Sequence, residues 1–136
     1  MKTIHFLKEC GFKKIGLAFC ITLKDSAKFL CRLLQDEGFE VESIICKVGH
    51  KDRSEIGAPA SCKAMCNPIA QAELLNEAKT EFNILVGLCV GHDSLFIRHS
   101  KAPVTVLIAK DHVFDNAPER FLMNLPGYGK PEDIGM

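Results

Sequence analysis

Neither sign of charge prevails in this sequence of 136 residues: 17 Lys and Arg stand against 17 Asp and Glu. No basic stripe interleaved with aromatics is present, so nucleic acid is not an expected partner. No apolar run approaches the roughly 20 residues of a membrane span. The opening stretch Met1–Cys10 lacks the long apolar core of a signal peptide. These absences predict a cytoplasmic protein with no membrane partner. Neither a G-x-G-x-x-G nor a P-loop occurs, so a nucleotide is not indicated. The paired C-x2-C spacings usual in zinc modules are missing too. There is no internal repeat and no low-complexity block.

Cysteine is what the chain does have. It holds 7 in a composition that is 47% hydrophobic and 25% charged, as in a soluble globular domain. In a reducing compartment that many thiols argue for metal or redox chemistry rather than a disulfide framework. The count is odd, so a fully paired set within one chain is excluded.

Three of the thiols end apolar runs. Residues 13–20 read as a strand ending at Cys20, residues 40–46 as a strand ending at Cys46, and residues 82–90 as a buried strand carrying Cys89. A fourth strand, Val104–Ala109, ends in Lys110-Asp111-His112. Helical patterns alternate with these strands. A short amphipathic helix is expected from Thr3 to Cys10. A second, from Leu23 to Glu37, has Thr22 as N-cap and Asp25 as capping-box partner, and it buries Ala27, Leu30 and Leu34 together with Phe29 and Leu33. The third starts at Pro68 after the cap Asn67, runs to about Lys79 and buries Ile69, Ala72 and Leu75. A fourth, capped by Asp93 or Ser94, runs through His99. The last spans Pro118–Met123. Lys47–Met65 reads as a long polar loop, a kind that is usually functional or mobile.

Strand–helix alternation of this kind predicts an α/β fold: a single-domain three-layer sandwich, Rossmann/flavodoxin-like, with a four-stranded, mainly parallel sheet. The domain is expected over 1–124, with 125–136 as a C-terminal tail. With the strand order 2-1-3-4, Cys46, Cys20 and Cys89 stand on neighbouring strands at the carboxyl edge, where open α/β sheets place their ligands. Cys66, just before the third helix, opens on the same edge.

Four thiolates select zinc, copper(I) or an iron–sulfur cluster. The metal ligands expected are therefore Cys20, Cys46, Cys66 and Cys89, with an iron–sulfur cluster as the favoured cofactor and zinc second. His92, Asp93 and Lys110 are the residues expected to hold a small ligand beside the centre. Electron transfer or reductive chemistry on that ligand is the function this site implies. The partner is then a small molecule or a redox protein.

Two competing readings use the same residues. Cys20 and Cys66 lie at helix N-termini, which lowers a thiol pKa, so Cys66 with Cys62 or Cys20 makes a thiol oxidoreductase. A non-catalytic module for metal or small-ligand binding is the third reading. Cys31 reads as a packed structural thiol, and Cys10 as structural or exposed.

Several stretches resemble one family. They are Ile15-Gly16-Leu17-Ala18-Phe19-Cys20; Cys46-Lys47-Val48-Gly49; Met65-Cys66-Asn67-Pro68-Ile69-Ala70-Gln71-Ala72-Glu73-Leu74-Leu75-Asn76; Gly87-Leu88-Cys89-Val90-Gly91-His92-Asp93-Ser94-Leu95-Phe96; Ser100-Lys101-Ala102-Pro103-Val104-Thr105; and Lys110-Asp111. Together they are similar to a prokaryotic family of uncharacterised, metal-binding proteins known as domain of unknown function 1847. The resemblance implies that Cys20, Cys46, Cys66 and Cys89 are the family's shared thiols, and it implies no particular reaction. Family members often carry a cysteine-rich segment before the first strand. Only Cys10 stands there, so the chain reads as a short form. After Lys110-Asp111 the family tends to arginine and then a histidine–asparagine–proline run. Here His112 and Asp115-Asn116-Ala117-Pro118 stand instead.

Overall fold

A computed structural model describes residues 1–46, 66–89, 91–111, 113 and 115–129. The elements alternate as the apolar runs require: α1 (Lys2–Glu9), β1 (Lys14–Phe19), a 3-10 turn (Ile21–Leu23), α2 (Lys24–Asp36), β2 (Glu40–Ile45), α3 (Pro68–Glu77), β3 (Phe82–Val86), α4 (His92–His99), β4 (Val104–Ile108) and α5 (Glu119–Met123). The sheet order is β2-β1-β3-β4, with every pairing parallel. Successive strand residues point to opposite faces, so β1 feeds two cores. Ile15 and Leu17 pack with Ile4 and Leu7 of α1 and with Ala27, Leu30 and Leu34 of α2. Ala18 packs on the other face with Ala72 and Leu75 of α3 and Phe96 of α4. This is a three-layer α/β sandwich.

Two close approaches set the interior. Gly16 on β1 faces Asn83 of β3, and an added Cβ would lie 2.0 Å from Asn83 Oδ1. Asn83 is fully buried. Its Oδ1 accepts from Thr80 Oγ1 at 2.7 Å, and its Nδ2 donates to Ser100 Oγ at 2.9 Å. The amide thus ties β3 to the segments on either side of it.

Several helix boundaries differ from the expected ones. Thr22 and Asp25 form no capping box; α2 starts at Lys24 after the 3-10 turn, with no side-chain cap. The Thr22 hydroxyl donates instead to Cys20 Sγ at 3.3 Å. Phe29 is 71% exposed. Helical geometry turns about 100° per residue, which carries position 29 off the stripe of Ala27, Leu30 and Leu34. Leu33 does pack against that core, as does Cys31. Ile69 is only partly buried, and Gln71 takes its place on the inner face of α3. The strand expected over 82–90 stops at Val86. Gly87 has φ +66, a left-handed conformation that L side chains rarely adopt and that breaks a strand. Cys89 is therefore held on a loop. Asn67 behaves as expected: its Oδ1 accepts from Ala70 N at 2.9 Å.

Candidate metal centre

The residues of the carboxyl edge reach it by different routes. Cys20 directly follows β1, and its N–H donates to Val86 O of β3 at 3.4 Å. Cys46 follows β2, and its carbonyl accepts from Asn67 N at 2.7 Å. That bond ties the end of β2 to the start of α3. Cys66, the residue before Asn67, is thereby drawn to the same corner. On the far side, His92 N donates to Cys89 O at 2.8 Å, closing a turn that puts the two side chains together. Gly91 makes the turn with φ +82 at the N-cap of α4, so His92 rather than Asp93 or Ser94 begins the helix. Beneath the corner lies Gln71, fully buried. Its Nε2 donates to Ile44 O at 2.9 Å and, more weakly, to Phe19 O at 3.5 Å. This amide pins the ends of β1 and β2 side by side; its Oε1 has no partner among the described residues.

Cys66 Sγ and Cys89 Sγ are 3.8 Å apart. One ligand atom each from Cys66, Cys89 and His92 lies within 4.8 Å of the others. These three residues are close enough to hold a metal. The donor set fits as well. Two thiolates about 2.3 Å from one tetrahedral ion stand about 3.8 Å apart. Cys46 acts on the same corner, since its sulfur helps push the Cys66 thiol up. Cys20 has a different neighbour: Lys110 Nζ donates to its sulfur at 3.0 Å and to Cys89 Sγ at 3.5 Å.

The electrostatics of the thiols follow from these contacts. Burial, the charge of Cys46, hydrogen bonds with Cys89 and Cys46, and the charge of Cys89 push the Cys66 thiol up to about 12. Buried, clustered sulfurs resist ionisation, which is the environment a metal ion relieves. Cys20 goes the other way. Burial raises it, but hydrogen bonds from Lys110 and from the hydroxyl and N–H of Thr22, together with the Lys110 charge, outweigh burial and bring it down to about 7. Lys110 is raised in turn: burial opposes its charge, and Cys20 and Cys89 more than compensate.

The sequence expectations meet this geometry unevenly. Cys66 and Cys89 come together with His92, and Cys46 acts on Cys66. Cys20 is at the same edge but lies outside the three-residue group, paired with Lys110. His92 stands within the metal-binding group. Asp93 stays out: its Oδ1 accepts from Ser94 N at 2.9 Å. The lowered pKa expected of Cys66 from its helix N-terminus is reversed, because burial and then the neighbouring sulfurs outweigh a helix end. Cys62, His112 and the loop over 47–65 lie outside the described residues. Sequence reasoning missed Gln71 and the link from Thr22 to Cys20. The periodicity that brings position 71 onto the face of 68, 72 and 75 was the available signal for Gln71.

Fold and site together define a parallel α/β protein with a Cys/His cluster at the carboxyl edge of its sheet. The chain belongs to the family of proteins of unknown function (DUF1847), whose profile matches residues 1–107. It is 50% identical over 117 residues to the uncharacterised protein MJ0455 of Methanocaldococcus jannaschii, a match covering 83% of this chain and 60% of that relative. The chain thus spans less than two thirds of the relative's length. No solved structure matches. Among the described residues no helix is long and apolar enough to cross a membrane.

Proposed function

We propose that the protein binds a metal ion through Cys66, Cys89 and His92, with Cys46 completing the set. The observation that carries this reading is the 3.8 Å separation of the Cys66 and Cys89 sulfurs, with a His92 nitrogen inside the same 4.8 Å group. The spacing suits two thiolates on one metal atom, so it favours a mononuclear site with zinc first. A four-iron cube takes one cysteine per iron and sets the thiolates farther apart. When bound, zinc supplies structural stabilisation or Lewis acidity. The chain's own residues prepare the place. Gln71 fixes the spacing of the β1 and β2 ends, the Asn67 cap holds Cys66 at the start of α3, and the Lys110 ammonium offsets negative charge on Cys89.

An iron–sulfur cluster on Cys20, Cys46, Cys66 and Cys89 is the second reading. The contact of Lys110 with both Cys20 and Cys89 favours it, because one side chain then links those two sulfurs. Electron transfer to a redox partner protein, or redox chemistry on a small ligand near His92, Asp93 and Lys110, belongs to this reading.

The test is elemental analysis with a visible spectrum on protein purified without oxygen. About one colourless zinc per chain supports the mononuclear site. Iron with inorganic sulfide and a broad visible band supports the cluster instead. Protein that holds neither metal, with every thiol freely reactive, refutes both.

A further inference from the structure

Cys20 and Lys110 form a pair with a geometry of its own, outside the three-residue metal group. Lys110 Nζ stands 3.0 Å from Cys20 Sγ, and the two residues are 90 positions apart in the chain. One follows β1 and the other β4, with β3 between those strands. The lysine side chain therefore crosses the end of β3, passing Cys89 Sγ at 3.5 Å. Thr22 Oγ1 holds the Cys20 sulfur from another side at 3.3 Å. Cys20 is 2% exposed, so its rotamer is confined. Lys110 is half-buried rather than sealed, and an oxidant the size of peroxide needs only a local opening on that side.

We propose that Cys20 and Lys110 are a site of covalent modification, forming an N–O–S bridge when hydrogen peroxide oxidises the pair. The Cys20 sulfur attacks one peroxide; an S–O bond forms, the O–O bond breaks, water leaves, and the sulfur is oxidised by two electrons to a sulfenic acid. The Lys110 amine, its extra proton lost to solvent, attacks a second peroxide. An N–O bond forms, a second water leaves, and the nitrogen is oxidised by two electrons to a hydroxylamine. The hydroxylamine oxygen then attacks the sulfenic sulfur, whose S–OH bond breaks, and the third water leaves. One thiol, one amine and two peroxides thus give one S–O–N bridge and three waters. An interposed oxygen spans most of the present separation between Nζ and Sγ, whereas a direct S–N bond demands a far larger approach. The bridge ties the end of β1 to the end of β4 and removes the positive charge that faces Cys89. It uses none of Cys66, Cys89 and His92, so it is compatible with a metal ion on those three, and it excludes a cluster that takes Cys20 as a ligand.

The experiment treats the full chain with a few equivalents of hydrogen peroxide, then reads intact mass and a tryptic map. The expected product is heavier by about 14 Da, one oxygen less two hydrogens. The peptides holding Cys20 and Lys110 are joined, trypsin no longer cuts after Lys110, and dithiothreitol restores the starting mass. Cys20→Ser and Lys110→Arg both lose the joined peptide, the arginine keeping a cation beside the thiol. Where a variant does not fold, the wild-type map decides alone. Cys20 recovered as a sulfinic acid, in a disulfide with another cysteine, or unmodified with Lys110 free overturns the proposal.

Discussion

Gly16→Ala tests how tightly β1 packs against Asn83. The new methyl would sit 2.0 Å from Asn83 Oδ1 and 2.9 Å from Leu75 Cδ1. Neither neighbour gives way freely: both are fully buried, and Asn83 is tethered at both ends of its amide by Thr80 and Ser100. Ser100 Oγ in turn donates to Ala102 O at 2.8 Å, so moving the amide disturbs a chain of bonds. Overpacking a filled core costs about 1–3 kcal/mol. Stranding a buried amide costs about 1–3 kcal/mol more. Gly16 has no positive φ, so alanine recovers about 0.5–1 kcal/mol of unfolded-chain entropy. The net expectation is a loss of about 2–4 kcal/mol in urea unfolding. A double-mutant cycle isolates the cause: in an Asn83→Ala background the same change costs less than about 1 kcal/mol, because the obstructing amide is gone. A single-variant loss below about 1 kcal/mol, or an equal loss in both backgrounds, refutes the reasoning.

Three further outcomes follow from the site. Cys89→Ser abolishes stoichiometric metal binding, while Cys31→Ser, whose sulfur packs against the α1/α2 core, leaves metal content at the wild-type level by elemental analysis. Cys66 is raised to about 12, so the free protein carries it as the neutral thiol at pH 7, and metal binding must expel that proton. Apparent affinity should therefore fall as pH falls, by at least about tenfold per unit between pH 6 and 9, in a chelator competition. A slope shallower than this, or one that Cys66→Ser leaves unchanged, counts against Cys66 as a ligand. Asn67→Ala removes the cap on Ala70 N and costs about 1 kcal/mol in urea unfolding. It also weakens metal binding, because Cys66 loses its anchored neighbour; unchanged affinity would show that Cys66 is held by other means.

The alternation of apolar runs with helical patterns was enough to read the α/β class, the four parallel strands and the arrival of Cys20, Cys46 and Cys89 at one edge, because buried parallel strands must be apolar and must end where the polar residues begin. The same reading located Asn67 and Pro68, since capping chemistry is local and depends on a few adjacent residues. Where two local signals competed, it erred: Thr22 has the chemistry of an N-cap, but the sulfur of Cys20, two residues back, accepts the hydroxyl's hydrogen bond instead. The strand over 82–90 looked continuous because Gly87 carries no side chain to announce its left-handed backbone.

By itself, then, the sequence determined which elements exist, their order, and which sulfurs share an edge, all consequences of periodicity and local caps. Only the tertiary structure decided how those sulfurs group. Cys66 and Cys89 come within 3.8 Å of each other through a helix cap and a tight turn 23 residues apart, while Cys20 is claimed by a lysine 90 residues away. Sulfur–sulfur and sulfur–nitrogen distances depend on how strands from distant parts of the chain are packed, and no local pattern records that packing.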